Sequence, residues 1–513
     1  MKNSFKKFAS LLLTFIMLVT LIPTTIVAET KAKEAFNISI QDANGDVIEV
    51  SKYTLDESYN VVDVVAKDSG TIPTGGSFTY DADTYTLTLT DANITNLTVE
   101  CKNGSDKTVF NLKLSGTNLI DNRNSTLDYS TPSIYVGTNT NMVLEEGATL
   151  DIYDNGLSGI EVSNNLTITG GKINILECSN IGIIVGVGDI NLINTDIRII
   201  GKDEANTTGI YLTDVVGGYS FNSKNSKIFI KTTGRTIQNG TLSVLEGSIN
   251  FDNTEAFLES TNDYGITSNT DITIKNKSKI NVKGLNCGIF AMDSISIDDS
   301  QFVGETEFNN ALAAFSGNIS IDNSKLKLVS GDKYLINTDN GKILVDGIEK
   351  TKEDYVDYYV DAADYSAVES AIAAAEAIEN KELYSNYDAV QSAVDAVVKG
   401  KDFTEQEVVD GYAAAITNAI NALTYIDADY TKVDAAIAKA NGLNKDEYKD
   451  FSKVIEAINA VVRGKNITEQ GLVDSYAEMI EKAISELEKK PAPKPESKPE
   501  TKPSYIVPNT CTK

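Results

Sequence analysis

The chain has no histidine and no tryptophan, and only four arginines, Arg123, Arg198, Arg235 and Arg463. Any mechanism that requires a histidine is excluded, and the flat indole platform that suits crystalline cellulose is missing. Basic residues are also scarce. Lys and Arg total 45 against 73 Asp and Glu, a formal net charge of −28. Such a surface repels nucleic acid, so no nucleic-acid partner is expected. The four cysteines, Cys101, Cys178, Cys287 and Cys511, are far apart and never form C-x-x-C. They read as small buried apolar residues rather than as a metal set or a disulfide framework.

Long apolar runs are missing as well, with one exception. Leu11–Ile22 follows Lys2, Lys6 and Lys7 and precedes Ile26-Val27-Ala28. That is the layout of a secretory signal over residues 1–28, so no transmembrane segment is expected in the mature chain. The protein is expected to be secreted, either extracellular or at the cell surface.

What the sequence has is repetition. GIEVSNNLTITGGKINI begins at Gly159, and related units open at Gly182, Gly209, Gly265 and Gly288, with degenerate copies from Ala311 and Tyr334. The step is 23 residues from Gly159 to Gly182 and 27 from Gly182 to Gly209. Each unit holds alternating apolar strands and small polar turns, the mark of a solenoid. The predicted fold is mainly β: a right-handed parallel β-helix over residues 77–350, followed by two three-helix bundles. Residues 29–76 read as a cap built on a hairpin at Asn44-Gly45. Asp42, Asn44 and Asp46 partly match a calcium loop, but Gly45 precedes the third acidic position, and a turn explains them. The end coils would be covered by this hairpin and by the downstream module.

At Glu349 the pattern changes to Ala at helical spacing. Residues 360–425 and 427–489 form a tandem repeat, with DYSAVESAIAAAEAI at Asp364 answering DYTKVDAAIAKANGL at Asp429. Each copy predicts three helices. The first starts near Ser366 or Thr431, and the second ends at Gly400 or Gly464. The third is capped by Thr404 with Glu407, or starts at Thr468. Val394, Val397 and Val398, and likewise Ile416, Ile420 and Leu423, are the core-facing stripes. Residues 490–513 form a Pro-rich spacer.

The Gly-opened coils resemble the right-handed parallel β-helix of pectate-lyase-like proteins. With TYDADTYTLTLTDANI at Thr79 and NLTITGGKINI at Asn165, they are similar to secreted carbohydrate-binding β-helices of Gram-positive bacteria. The resemblance implies polysaccharide binding, pectic chains being one class, and calcium sites in some members. FTEQ at Phe403 and ITEQ at Ile467 resemble FIVAR modules of Gram-positive surface proteins, which implies a spacer or adhesive role and cell-wall association. Val507-Pro508-Asn509-Thr510-Cys511 resembles the L-P-x-T-G sorting signal, but Cys511 replaces its Gly and no apolar segment follows.

The resemblance also frames the question of catalysis. A hydrolase of the polygalacturonase kind uses Gly-His-Gly and Arg-x-Lys; the first is impossible here, and the second occurs only at Arg463-Gly464-Lys465, in the helical repeat. Asp298-Asp299 reads as a turn. A calcium-dependent lyase needs less, and Asp196 with Arg198, both outward on one strand, offers a carboxylate and a base. The same pair also reads as a solvated cross-strand pair.

Two outward columns favour binding. Lys172, Asp196, Lys227, Ser248, Lys279, Gln301 and Lys325 align in one, its lysines ~10 Å apart at ~4.8 Å per coil. Such a row would track an anionic polysaccharide, and it equally reads as lysines blunting a strand face. The second column holds Tyr135, Glu161, Ile184, Tyr211, Thr267 and Phe290, whose Tyr135, Tyr211 and Phe290 offer stacking surfaces for sugar rings or simply cover their neighbours. The expected function is non-catalytic binding of a polysaccharide. The candidate ligand residues are Lys172, Lys227, Lys279, Lys325, Tyr135, Tyr211, Phe290 and Arg198. A calcium-dependent lyase, and an adhesin binding a host matrix protein through the helical repeats, are the alternatives.

Overall fold

The computed structural model describes residues 34–492, apart from 106, 124–130, 155, 203–204, 214–216, 233–239 and 262. The signal segment, Arg235 and the Val507–Cys511 motif lie outside the described residues. The chain divides into two compact units, Met1–Asp361 and Ala362–Lys513. Among the described residues no helix is long and apolar enough to cross a membrane.

The first unit is a β-solenoid of about ten turns. Each turn carries three strands where the sequence suggested a Gly anchor and two. One turn runs Ser158–Val162, Leu166–Thr169, Lys172–Cys178; the next runs Ile181–Val185, Ile190–Ile193, Asp196–Gly201. Each strand pairs in parallel with its counterpart one turn on. Three ladders result. Alternation puts every second side chain inside, as in the third ladder, where Ile173, Ile197, Ile228, Ala256, Ile280, Phe302 and Leu326 are all buried.

Gly159, Gly182, Gly209 and Gly265 lie within the first strand of their turns and Gly288 just before it, all with ordinary φ angles. Space requires them. A Cβ on Gly159 would come 2.8 Å from Ile175 Cγ2, and one on Gly182 2.7 Å from Ile199 Cγ2. Gly159, Gly182 and Gly209 thereby admit the inner isoleucine of the third strand of their turn, and Gly265 admits Val282 in the same place. Between Gly209 and Gly265 the structure contains a further turn, opened by strand Gly240–Val244. Thr241 stands there at the anchor position and is fully buried.

The corner between the second and third ladders is also periodic. Asn194, Asn225, Asn253, Asn276, Asp299 and Asn323 have φ between 43° and 57°, a left-handed conformation that Asn and Asp tolerate best. A Ser or Thr follows closely. The Ser278 Oγ accepts from the Thr254 amide (3.0 Å), the Ser300 Oγ from the Ser278 amide (3.2 Å) and the Ser324 Oγ from the Ser300 amide (3.1 Å). A hydroxyl ladder thus satisfies backbone groups that the sharp corner would otherwise bury unpaired.

Both ends are closed by antiparallel strands. At the start, β1 (Ala35–Asp42) pairs with Asn93–Lys102 and with β2 (Val47–Leu55). Ser77–Asp81, read as the start of the coils, instead pairs antiparallel with Thr86–Thr90. At the other end Ile348–Lys350 and Val356–Val360 fold back on the last coils, so the unit supplies its own cap there. The turn at Asn44-Gly45 is as expected: Asp42 Oδ1 accepts from the amides of Asn44 and Asp46, both at 2.9 Å. Among the described residues no group of three or more acidic, Cys or His side chains is arranged to hold a metal.

Among the described residues the second unit holds six α-helices: α1 (Ser366–Glu376), α2 (Tyr387–Asp395), α3 (Gln406–Asn421), α4 (Thr431–Asn441), α5 (Ser452–Asn459) and α6 (Gln470–Ser485). They form two bundles with separate cores. One contains Val368, Val390, Val409 and Ile416; the other contains Val433, Val454, Val473 and Ile480. The second helix of each bundle stops before the expected glycine. α2 ends at Asp395, and Gly400, with φ of 85°, belongs to the following loop. Val398 is therefore exposed rather than in the core. The cap before the third helix is Asp402, whose side chain accepts from the Thr404 amide, with Asn466 in the same role for Thr468. The FTEQ and ITEQ motifs act through their glutamines. Gln406 accepts from the Asp364 amide (2.7 Å) and donates to the Asp364 carbonyl (2.9 Å), and Gln470 does the same to Asp429. Each clamp ties the first helix of a bundle to the third.

The link between the bundles has no free residues. The Ile426 amide donates to the Leu383 carbonyl of the first bundle, and its carbonyl accepts from the Ile467 amide of the second, both at 2.9 Å. Stacked Tyr384 and Tyr425 rings, 4.5 Å apart, flank this joint.

Candidate functional site

Register along the third ladder is set by backbone pairing, and it fixes the outward columns. The first runs Lys172, Asp196, Lys227, Glu255, Lys279, Gln301, Lys325. Lys172, Lys227, Lys279 and Lys325 thus share a column, as expected, but Ser248 is not in it. Ser248 precedes the second-ladder strand Ile249–Asp252, and Glu255 occupies its place. The difference matters electrostatically. Lys227 Nζ lies 3.2 Å from Glu255 Oε2, so the row alternates in sign over much of its length.

The aromatic column is also altered. It runs Tyr135, Glu161, Ile184, Tyr211, Ser243, Thr267, Phe290 on the first ladder. Three turns, ~14 Å, separate each aromatic from the next. Tyr211 is only 6% exposed, and its burial raises the phenol pKa. Phe290 packs on Tyr264 with ring centroids 5.7 Å apart. The Tyr135 hydroxyl lies 3.4 Å from Ser163 Oγ. The three rings form no continuous platform, and they lie on a different ladder from the lysines.

A denser arrangement sits on three adjacent third-ladder strands, Lys227–Thr232, Glu255–Ser260 and Lys279–Gly284. The outermost row is Lys227, Glu255, Lys279 and the next is Phe229, Phe257, Asn281. The third is Lys231, Glu259, Lys283, where Lys231 Nζ lies 3.1 Å from Glu259 Oε2. Rows are ~7 Å apart and strands ~4.8 Å apart. The Phe229 and Phe257 rings are nearly parallel, at 12° and 5.1 Å between centroids, an offset stack that leaves part of each ring to solvent. Arg198, the sequence candidate, lies one turn before them, with its guanidinium 4.7 Å from the Phe229 centroid. An aromatic strip is thus bordered by two Lys–Glu–Lys rows, and lysines outnumber carboxylates there on a strongly acidic chain.

Beside the outermost row the corner opens into a cleft of about 250 Å3 lined by Asn225, Lys227, Asn253, Glu255, Lys277 and Lys279. Its shape follows from one extra residue. Lys275-Asn276-Lys277-Ser278 is one longer than the neighbouring corner Asp252-Asn253-Thr254, and both Asn276 and Lys277 adopt positive φ. Asn253 Nδ2 donates to Asn225 Oδ1 at 2.8 Å across the cleft floor.

The sequence reading found Lys227, Lys279 and Arg198 but missed Phe229, Phe257, Lys231, Lys283 and Lys277. The spacing held the signal: KIFIK at Lys227, EAFLE at Glu255 and KINVK at Lys279 align residue for residue once Thr241 is accepted as a turn anchor. Comparison with known protein families, with curated proteins and with solved structures finds no match for this chain.

Proposed function

We propose that the Lys227–Phe229–Lys231 face, with its counterparts on the next two strands and the adjoining cleft, binds a polysaccharide without chemically altering it. The supporting observation is the Phe229–Phe257 strip between two rows of alternating charge. An apolar strip contacts the C–H faces of sugar rings, while flanking ammonium and carboxylate groups exchange hydrogen bonds with hydroxyls. The surplus lysines and the cleft favour a chain bearing carboxylates, such as a pectin-type glycan. The resemblance to secreted carbohydrate-binding β-helices points the same way, and FIVAR-like bundles fit a spacer at the cell surface. Affinity would sum over several weak contacts on a rigid face.

The test is titration of the full-length protein with polygalacturonate and with a neutral galactan. Phe229→Ala with Phe257→Ala is expected to weaken polygalacturonate binding about tenfold, the scale of one or two lost apolar contacts. Charge reversal at Lys277 and Lys279 should weaken it while leaving the galactan unaffected, whereas reversal at Lys172 and Lys325 should do little. Equal binding by all variants would overturn the assignment. Unsaturated product appearing with calcium would replace binding by lyase activity, and binding retained by the helical repeats alone would favour the adhesin.

A further inference from the structure

The charges on the third ladder are banded by turn. Strand Lys227–Thr232 has only Lys227 and Lys231 as charged residues, Glu255–Ser260 only Glu255 and Glu259, and Lys279–Gly284 only Lys279 and Lys283. The bands continue past these three turns. Gln301–Thr306 carries Glu305 alone, and Lys325 and Lys327 open the next strand. Backbone register puts Glu305 beside Lys283 and Lys325 beside Gln301. The face therefore changes sign at every turn over five turns, with a full period of two turns, ~10 Å.

Cross-strand pairing accounts for part of this pattern. Lys227 pairs with Glu255 at 3.2 Å and Lys231 with Glu259 at 3.1 Å. Those pairs leave Lys279 and Lys283 without an ion-pair partner among the described residues. The Lys227 and Glu255 side chains are also 70% and 63% exposed, and pairs so open to water add little to stability. Pairing along each row would be served equally with the outermost and third rows out of phase, each strand then holding one lysine and one glutamate. Instead the rows are in phase, so whole strands are positive or negative. Such phasing matters to a ligand that lies across several turns and touches both rows.

We propose, building on the glycan-binding reading of this face, that its ligand is an alternating polymer with a carboxylate on every second sugar, lying along the solenoid axis at one sugar per turn. The aromatic strip sets the direction. Arg198, Phe229 and Phe257 follow one another turn by turn, with the guanidinium 4.7 Å from the Phe229 centroid and the two rings 5.1 Å apart. A pyranose unit is about as long as one turn is high, ~4.8 Å, so successive sugars meet successive bands. Acidic sugars fall beside Lys227 with Lys231 and, two residues on, beside Lys279 with Lys283. The sugar between them falls beside Glu255 and Glu259. Carboxylates only accept hydrogen bonds, so that sugar must offer hydroxyl or amide donors and carry no negative charge. A homopolymer of uronic acid would set a carboxylate against this glutamate band, and the repulsion discriminates against it. The ligand class is thus a disaccharide repeat of one uronate and one uncharged sugar.

The test compares, per uronate, binding of the full-length protein to polygalacturonate and to two alternating polymers, galacturonate–rhamnose and glucuronate–N-acetylglucosamine. At least one alternating polymer should bind about tenfold more tightly than polygalacturonate, the scale of a like-charge contact avoided. Glu255→Gln with Glu259→Gln keeps side-chain shape and should bring that ratio close to one, mainly by tightening polygalacturonate. Polygalacturonate binding as tightly as both alternating polymers, or a ratio that the glutamine variant leaves unchanged, would overturn the proposal while leaving polysaccharide binding in place. Absence of binding to every acidic polymer would overturn glycan binding itself, and the alternating ligand with it.

Discussion

Both units are repeats, yet they use repetition in opposite ways. In the solenoid a single turn has no core of its own. Ile199 is buried because Gly182 leaves space for it and because the turns on either side close over it. One apolar column therefore runs through the whole unit. The helical repeats have two cores that share no buried residue. Each is closed locally by its own glutamine clamp, and the two are joined end to end through Ile426. Stability in the first unit is a nearest-neighbour property spread along the stack. In the second it belongs to each bundle. A repeat thus gains one continuous face when its units share a core, and a string of separately closed bundles when they do not.

The sharpest break of this comparison is a charge in the solenoid column. Ile199→Asp is expected to remove the β-unit's thermal transition, because a buried unpaired carboxylate costs several kcal/mol. The helical signal at 222 nm should melt as in the parent. If the helical transition falls too, the units are not energetically separate. Next in size, Ile416→Ala should destabilise the first bundle by about 2–5 kcal/mol and leave the second unchanged, as read by hydrogen exchange at α1–α3 against α4–α6. Equal loss in both bundles would show that the Ile426 joint couples them.

Gln406→Ala should cost the first bundle about 1–3 kcal/mol, because it removes both hydrogen bonds of the clamp. Gln470→Ala should do the same to the second bundle. The smallest effect is expected at Asp154, which is fully buried. Its Oδ1 accepts from Asn122, Ser133 and the Gly156 amide, while Oδ2 has no partner among the described residues. Burial dominates and raises its pKa above the ordinary carboxylate value, despite these hydrogen bonds. The folded state therefore holds this proton more tightly than the unfolded chain does. Stability from this group is present below the ordinary carboxylate pKa and is lost as pH rises through the raised one. Asp154→Asn should raise the solenoid transition near neutral pH by about 1 kcal/mol or more and flatten its decline from mildly acidic to neutral pH. A variant with the parent's pH slope would contradict that account.

Much of this architecture is legible from residue types alone. Alternating Ile, Leu and Val at a step near 23 dictates stacked strands with an apolar interior, and Ala-rich periodicity dictates helices, because these patterns report which faces must leave water. The lysine column was legible for the same reason, since period-two alternation assigns each residue a side. The helix ends were less so: Gly400 and Gly464 do adopt left-handed φ, but in loops several residues past α2 and α5.

Register was not legible. Which residue stands beside Lys227 depends on where each turn begins, and in the turn from Gly240 the marker glycine is Thr241. Strands of the same period are interchangeable in sequence, so Ile249–Asp252 and Glu255–Ser260 fit the same slot of the repeat. Only the backbone hydrogen bonds between turns distinguish them, and they put Glu255 between two lysines and Phe229 against Phe257. The sequence alone determined that this protein would be a stack of coils followed by paired helical bundles, because burial periodicity is a local property. The tertiary structure alone decided which outward residues become neighbours, because that depends on pairing between residues some two dozen positions apart.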